Sequence, residues 1–163
     1  MEQNEKFDPV NNPKHYNSYS REVIELTEHM DFCTGNACKY ILRAPFKGKE
    51  AQDLKKAIWY LKRIMSNKWT PTIDQYVMAV KDDFDSPLFK EVFDVLVDAA
   101  MNETPVAIKG AIALIEKRLH EIEIEELRKE VLALRSQYGK SNWDAARELE
   151  DLYEIRDLLF GAK

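Results

Sequence analysis

Apolar residues recur along most of this chain at the three- and four-residue spacing of amphipathic helices. The clearest stripe lies in the segment 50–67 and consists of Ala51, Leu54, Ile58, Leu61 and Met65. A shorter stripe precedes it, formed by Val23, Leu26 and Met30. No segment keeps the strict alternation of a strand, so the pattern predicts an all-α fold.

Capping residues and prolines divide the first half of the pattern into three predicted helices. Ser20 is expected to cap a helix that reaches about Met30, and Thr34 a second helix that Pro45 ends. A Phe46-Lys47-Gly48-Lys49 turn follows, in which Gly48 permits a positive φ or close approach to a ligand. The third helix is predicted from about Glu50 to Asn67.

The second half continues as helices that begin at Ser/Thr-Pro pairs. The pairs are Thr70-Pro71, Ser86-Pro87 and Thr104-Pro105. They predict helices over 72–82 and 87–101 and, from Pro105 to Tyr138, either one long helix or two nearly continuous ones. The apolar phase of the long segment slips, which predicts a kink or break near 120–126. Gly139 is expected to stop it, and Ser141 to cap a last helix that runs to Phe160.

Charge separates the chain into two regions of opposite sign. The whole chain carries a net charge of −5, which argues against bulk nucleic-acid binding. Residues 1–68 hold 12 basic and 9 acidic groups, whereas residues 69–163 hold 12 basic and 20 acidic groups. We therefore predict two regions with different roles, a basic one over 1–68 that suits an anionic ligand and an acidic helical one over 70–163.

No apolar run approaches the roughly 18 residues that span a bilayer, and the first residues lack an apolar signal core. These features predict a cytoplasmic protein without a membrane partner. His29, Cys33 and Cys38 match no zinc-ligand spacing, so the two cysteines are expected to be buried free thiols. Neither a P-loop nor a Rossmann glycine motif occurs.

Two neighbouring helical faces are the candidate site. The first face carries Asn36, Lys39, Tyr40 and Arg43, and the second carries Asp53, Lys56 and Tyr60. Nine Lys or Arg residues lie between positions 39 and 68 against two acids, Glu50 and Asp53, which suits an anionic ligand. The alternative is a solvated basic face in which Asp53 pairs with Lys56 or Lys49.

Three further residues have two interpretations each. His15 and Tyr16 belong either to a tail whose aromatic ring enters the core or to an arm that reaches over the site. Glu22, with Glu25, either contacts a ligand, holding a magnesium ion or orienting a ribose, or belongs to a solvated face.

Residues 11–64 resemble a small phage protein family that includes the nucleotide kinase of T-seven-like phages. The resemblance rests on Asn-Pro-Lys-His-Tyr, Glu-Val-Ile-Glu, Gly-Asn-Ala-Cys-Lys-Tyr-Ile-Leu-Arg-Ala, Lys-Gly and Asp-Leu-Lys-Lys-Ala-Ile-Trp-Tyr-Leu, in that order. It implies phosphorylation of the deoxynucleoside monophosphates dTMP and dGMP by ATP or another nucleoside triphosphate with Mg²⁺, without a P-loop. It also implies an oligomer.

On this resemblance we expect certain matching positions to form the site. Arg43, Lys39 and Lys47 would bind phosphates, His15 and Asp53 would orient or deprotonate the acceptor, and Glu22 would hold magnesium. The remaining expected substrate contacts are Tyr16, Asn36, Tyr40, Lys56 and Tyr60.

Two other functions remain open at this point. An all-α pyrophosphohydrolase would need clustered carboxylates, for which Glu121, Glu125, Glu126 and Glu150 are candidates, although surface ion pairs explain them too. A non-enzymatic phage protein could instead bind a host factor through the stretch from Ile108 to Tyr138.

Overall fold

The computed structural model describes residues 19–138, in which every regular element is a helix. The six α-helices are α1 (Val23–Thr27), α2 (Phe32–Arg43), α3 (Glu50–Asn67), α4 (Gln75–Val80), α5 (Pro87–Met101) and α6 (Ile108–Tyr138). Short 3₁₀ turns cover Ala44–Phe46, Lys81–Asp83 and Pro105–Ala107. A single antiparallel bridge joins Met30 to Ile73. The all-α fold is thus confirmed for this part of the chain.

The chain divides into two compact units, residues 1–119 and 120–163. In the first unit, α2 packs along α3, α1 and α5 also contact α2, and α4 contacts α1. Its core includes the fully buried side chains Leu26, Ile41, Leu42, Leu54, Leu61, Phe84, Phe89, Phe93, Ile108 and Ile115. The described part of the second unit is the remainder of α6, where Ile122 and Val131 are buried.

Two of the predicted helices are confirmed at both ends. Helix α3 spans Glu50–Asn67, and its buried stripe includes Leu54, Ile58 and Leu61 as expected. Helix α5 begins at Pro87, where Ser86 accepts a hydrogen bond on Oγ from the Phe89 amide at 3.3 Å. A long, regular apolar stripe was therefore sufficient to predict the bounds of α3, and a Ser-Pro pair was sufficient to predict the start of α5.

Three predicted helix caps are wrong. Ser20 lies before α1 and donates its hydroxyl to the Asp83 carbonyl instead, while α1 itself is only five residues long. Helix α2 begins after Asp31 rather than at Thr34, and α4 begins after Asp74 rather than at Thr70. In both cases a carboxylate, which accepts amide hydrogen bonds strongly, replaces the predicted hydroxyl.

Asp31 shows why the aspartate serves better than the threonine at this position. One of its oxygens, Oδ1, accepts the amides of Cys33 and Thr34, both at 3.0 Å, and Oδ2 accepts the amide of Thr72 at 2.9 Å. The same side chain thus caps α2 and holds the loop before α4. Thr34 is fully buried, and among the described residues its hydroxyl finds no hydrogen-bond partner.

The alternative of one long helix is confirmed and that of a break is wrong, because α6 is continuous from Ile108 to Tyr138. The phase slip lies close to the boundary between the two units at Leu119 and His120. The predictions for Gly139, Ser141 and the helix to Phe160 lie outside the described residues, as do His15 and Tyr16. Across residues 19–138, no helix combines the length and apolarity that crossing a lipid bilayer requires.

We expect Thr34→Val to leave the free energy of unfolding unchanged or raised, because it removes a buried hydroxyl that makes no hydrogen bond. Asp31→Ala should lower it by about 1–2 kcal/mol, the usual loss for a helix N-cap. Urea unfolding followed by circular dichroism measures both. A loss of about 1 kcal/mol in Thr34→Val would contradict this assignment of the cap.

Candidate functional site

A tight turn brings the two predicted faces together. Helices α2 and α3 are joined by residues 44–49, and Gly48 has a φ of 65°, the left-handed region that glycine adopts without strain. The positive φ expected at Gly48 is confirmed. The C-terminal half of α2 consequently lies beside the N-terminal half of α3, so that residues near 40 and 43 face residues near 53 and 60.

A buried ion pair joins the two helices at this point. The Arg43 guanidinium donates from Nε to Oδ2 of Asp53 and from Nη2 to Oδ1, both at 2.8 Å. The Lys56 ammonium donates to the same Oδ1 at 3.0 Å. Asp53 is 1% exposed and Arg43 is 8% exposed. This forked geometry is the strongest form of the pair and fixes both side chains.

The electrostatics of Asp53 follow from these contacts. Burial by itself raises the pKa of the Asp53 carboxyl, but hydrogen bonds from Arg43 and Lys56 outweigh it and hold the pKa below its usual range. The carboxylate therefore stays ionised at neutral pH. Because its partners occupy both oxygens, Asp53 is poorly placed to take a proton from a substrate.

Tyr40 lies at the centre of a group of cations. The Nζ of Lys39, the guanidinium carbon of Arg43 and the Nζ of Lys56 lie 4.9, 4.8 and 5.1 Å from the centre of its ring. The ring stacks on that of Tyr60 from α3, with centroids 5.9 Å apart and an interplanar angle of 18°. A tyrosine face attracts cations through its quadrupole, so the ring helps to hold like charges close together.

Of the three cations around Tyr40, Lys39 is the one whose hydrogen bond within the described residues goes to a neutral group rather than to a carboxylate. Its ammonium donates to Asn36 Oδ1, a neutral group, and its pKa is lowered by burial first and by the nearby Arg43 charge second. Asp53 acts in the opposite direction but does not restore the pKa. A positive charge in such surroundings is stabilised by any anion that comes within a few ångströms of it.

The acids of this basic region are both already paired. Asp53 is shared by Arg43 and Lys56, while Glu50 accepts from Arg118 Nε at 2.8 Å. Among residues 19–138, two of the three cations around Tyr40, Arg43 and Lys56, pair with the Asp53 carboxylate, whereas the third, Lys39, donates to the neutral Asn36 side chain. We name this group the tyrosine–cation cluster; it consists of Lys39, Tyr40, Arg43, Asp53, Lys56 and Tyr60.

The structure thus brings together most of the predicted site residues and gives two of them a different part. The Arg43 guanidinium, which was predicted to bind phosphate, binds the Asp53 carboxylate instead. The Asp53 carboxylate, which was predicted to act on the acceptor, is correspondingly engaged by Arg43. Lys47 is exposed in the turn between α2 and α3. His15 and Tyr16 stay predictions, since they lie outside the described residues.

The metal site predicted at Glu22 finds no support in the described residues. Glu22 is exposed, its backbone amide donates to Glu25 Oε1 at 3.2 Å, and Glu25 is paired with Arg21 at 2.9 Å. Within residues 19–138, no group of three or more His, Cys, Asp or Glu side chains could hold a metal ion. Cys33 and Cys38 are buried free thiols, as expected.

Sequence reasoning missed two aromatic residues beside the cluster. Phe32 and Trp59 both meet Tyr60 edge to face, with centroid distances of 5.9 and 4.9 Å. Phe32 is 75% exposed and Trp59 is 57% exposed. The available signal was position: Trp59 falls outside the apolar stripe of α3, and Phe32 lies one turn before Asn36 on the basic face.

Comparison with known proteins places the similarity on this same segment. A family model described as a protein of unknown function (DUF3310) matches residues 10–62, which is 53 of the 163 residues. The match supports the resemblance to a small phage protein family and says nothing of an activity. No curated protein and no solved structure matches the chain.

We expect Asp53→Asn to lower the free energy of unfolding by about 3–5 kcal/mol, because it leaves the Arg43 charge buried without its partner. Asp85→Asn is the matched control, since the Asp85 carboxylate pairs with Lys90 at 2.9 Å and is 92% exposed. That surface change should cost at most about 1 kcal/mol. Equal losses in the two variants, measured by urea unfolding at pH 7, would contradict a structural role for the pair.

The lowered pKa of Asp53 also predicts an acid dependence of stability. A carboxyl whose pKa is lower in the folded state stabilises the protein above its unfolded pKa of about 3.9. That contribution is lost as the pH falls through the folded-state pKa. The difference in unfolding free energy between the wild type and Asp53→Asn should therefore be full at pH 6 and shrink below about pH 4. A difference that stays constant from pH 6 to pH 2 would rule this out.

Proposed function

We propose that the tyrosine–cation cluster binds the phosphates of a nucleotide and that the protein is a nucleoside monophosphate kinase without a P-loop. The observation that carries the proposal is the gathering of three cations around a stacked tyrosine pair, where Lys39, among the described residues, donates to a neutral side chain. A half-exposed surface with excess positive charge and aromatic rings suits a ligand that is both anionic and flat. The reaction itself, phosphorylation of a nucleoside monophosphate, is proposed from the resemblance to the small phage family.

The proposed reaction transfers the terminal phosphoryl group of a nucleoside triphosphate to a phosphate oxygen of dTMP or dGMP. The bond between the terminal phosphorus and its bridging oxygen breaks, a new phosphorus–oxygen bond forms on the acceptor, and the products are two nucleoside diphosphates. Such a transfer depends on positioning and charge neutralisation more than on covalent help from the protein. The side chains of Lys39 and Lys56 would supply both the positioning of the phosphates and the neutralisation of their charge.

In this proposal the cluster residues divide the work between them. Lys39 and Lys56, which are partly exposed, contact phosphate oxygens. Arg43 and Asp53 are positioning residues: their ion pair holds α2 against α3 and keeps Tyr40 between the lysines. Lys47, in the exposed turn, adds charge at the edge of the site, and His15 keeps its predicted place near the acceptor phosphate.

Magnesium enters the proposal only with the triphosphate. The described residues offer no carboxylate cluster that fits the ion, and Mg²⁺ is often bound mainly by nucleotide phosphates and water. The same lack of clustered carboxylates within residues 19–138 weakens the pyrophosphohydrolase alternative, which requires several of them around the metal. The kinase proposal includes a homo-oligomer in the host cytoplasm, where its substrates are.

We expect Lys39→Ala and Lys56→Ala each to lower kcat/KM for dTMP and dGMP by about 10- to 100-fold, the usual loss for a charged hydrogen bond. The assay incubates each variant with labelled ATP, Mg²⁺ and the monophosphate and measures the diphosphate formed. Lys55→Ala is the matched control, because it removes the same charge from the neighbouring, exposed position of α3.

Three results would count against the proposal. Absence of diphosphate with the wild-type protein would exclude the kinase activity, and release of pyrophosphate from a triphosphate alone would favour the hydrolase. Turnover by Lys39→Ala and Lys56→Ala at the rate of Lys55→Ala would move the site away from the tyrosine–cation cluster.

A further inference from the structure

Tyr60 is the contact point of a continuous row of aromatic rings. One face of its ring stacks on Tyr40, while Phe32 from α2 and Trp59 from α3 meet it edge to face. Phe32 and Trp59 are more than half exposed, although both are large and apolar. We name Phe32, Trp59 and Tyr60 the aromatic edge.

The exposure of this edge is unusual on physical grounds. Burying a phenylalanine side chain gains about 1.5–3 kcal/mol, and the first unit has a core that holds three other phenylalanines. Phe32 is the first residue of α2, directly after its cap Asp31, so the helix geometry fixes its position at the surface. Exposed aromatic residues that contact one another commonly mark a binding site.

The charges beside the edge limit what it can bind. Tyr60 joins the aromatic edge to Tyr40, whose ring is surrounded by Lys39, Arg43 and Lys56. An apolar aromatic surface therefore adjoins a cationic one through a single ring pair. A purely apolar partner would bring no negative charge to the Lys39 ammonium, which donates to the neutral Asn36 side chain, whereas a nucleotide carries a flat base and phosphates on one small frame.

We propose that the aromatic edge is the base-binding part of the nucleotide site, where the base stacks on Phe32 and Trp59 while its phosphates contact the lysines. This inference rests on the proposed function and extends it to the way the base is recognised. Every base has a π-face, so stacking of this kind discriminates weakly between bases. The structure thus points to a site that accepts both a purine and a pyrimidine monophosphate.

Binding of two probes separates base recognition from phosphate recognition. We expect Phe32→Ala to weaken dGMP binding by about 5- to 100-fold, the range found for loss of one base–aromatic stack. Binding of 2-deoxyribose 5-phosphate, which lacks the base, should stay within about twofold of the wild type. Lys56→Ala should weaken both probes, and isothermal titration calorimetry measures all of them.

Three variants make the test specific. Phe32→Tyr keeps the ring and should restore dGMP binding, and Trp59→Ala tests the edge independently if Phe32→Ala proves unstable. Tyr76→Ala is the control, because Tyr76 is an exposed aromatic residue of α4 whose ring contacts that of His29 instead, at a tilt of 32°. It should bind dGMP as the wild type does. Circular dichroism establishes that each variant keeps its helices.

The outcomes distinguish this inference from the kinase proposal. Unchanged dGMP affinity in both Phe32→Ala and Trp59→Ala would overturn base stacking and leave the kinase proposal standing. Selective loss of dGMP affinity without diphosphate formation by the wild type would support stacking and remove the kinase. No binding of dGMP to the wild type would overturn both. Tight binding of oligo(dT), lost in the same variants, would assign the edge to single strands instead.

Discussion

The bidentate contact between Arg43 and Asp53 is the interaction on which the candidate site depends. It joins α2 to α3 in a buried place, where an unpaired charge would be expensive, so neither residue is free to leave its partner. Lys56 adds a second cation to the same carboxylate. Because the pair fixes the distance between the helices, it also fixes the stacking of Tyr40 on Tyr60 and the approach of Lys39 to that ring.

The ion pair between Arg43 and Asp53 affects the charge of the surface around it. Within residues 19–138, Asp53 pairs with Arg43 and Lys56, Glu50 pairs with Arg118, and Lys39 donates to the neutral Asn36 side chain. The Lys39 ammonium therefore lies at a half-exposed surface next to aromatic rings, which is where the proposed anion would bind.

Position along a helix and position in space give different roles to the same residues. Their positions in the sequence suggest that Arg43 binds phosphate and that Asp53 acts as a general base. Packed against each other, they become the support for less conspicuous residues, Lys39 and Lys56, which keep exposed surface. Phe32 and Trp59 are the reverse case: spacing gave them no role, and only the contacts with Tyr60 place them beside the cluster.

The periodicity of apolar residues was enough to determine the all-α fold, the span of α3 and the start of α5, because local helix signals and the core-facing stripe agree there. The two basic faces were likewise readable, since helical spacing alone puts Asn36, Lys39, Tyr40 and Arg43 together. Tertiary structure alone decided that Asp31 rather than Thr34 caps α2, because Asp31 also accepts a hydrogen bond from the distant Thr72 amide. It also decided which charged side chains of the described residues pair with each other. That choice depends on burial and on partners ten or more residues away, which a one-dimensional pattern does not contain.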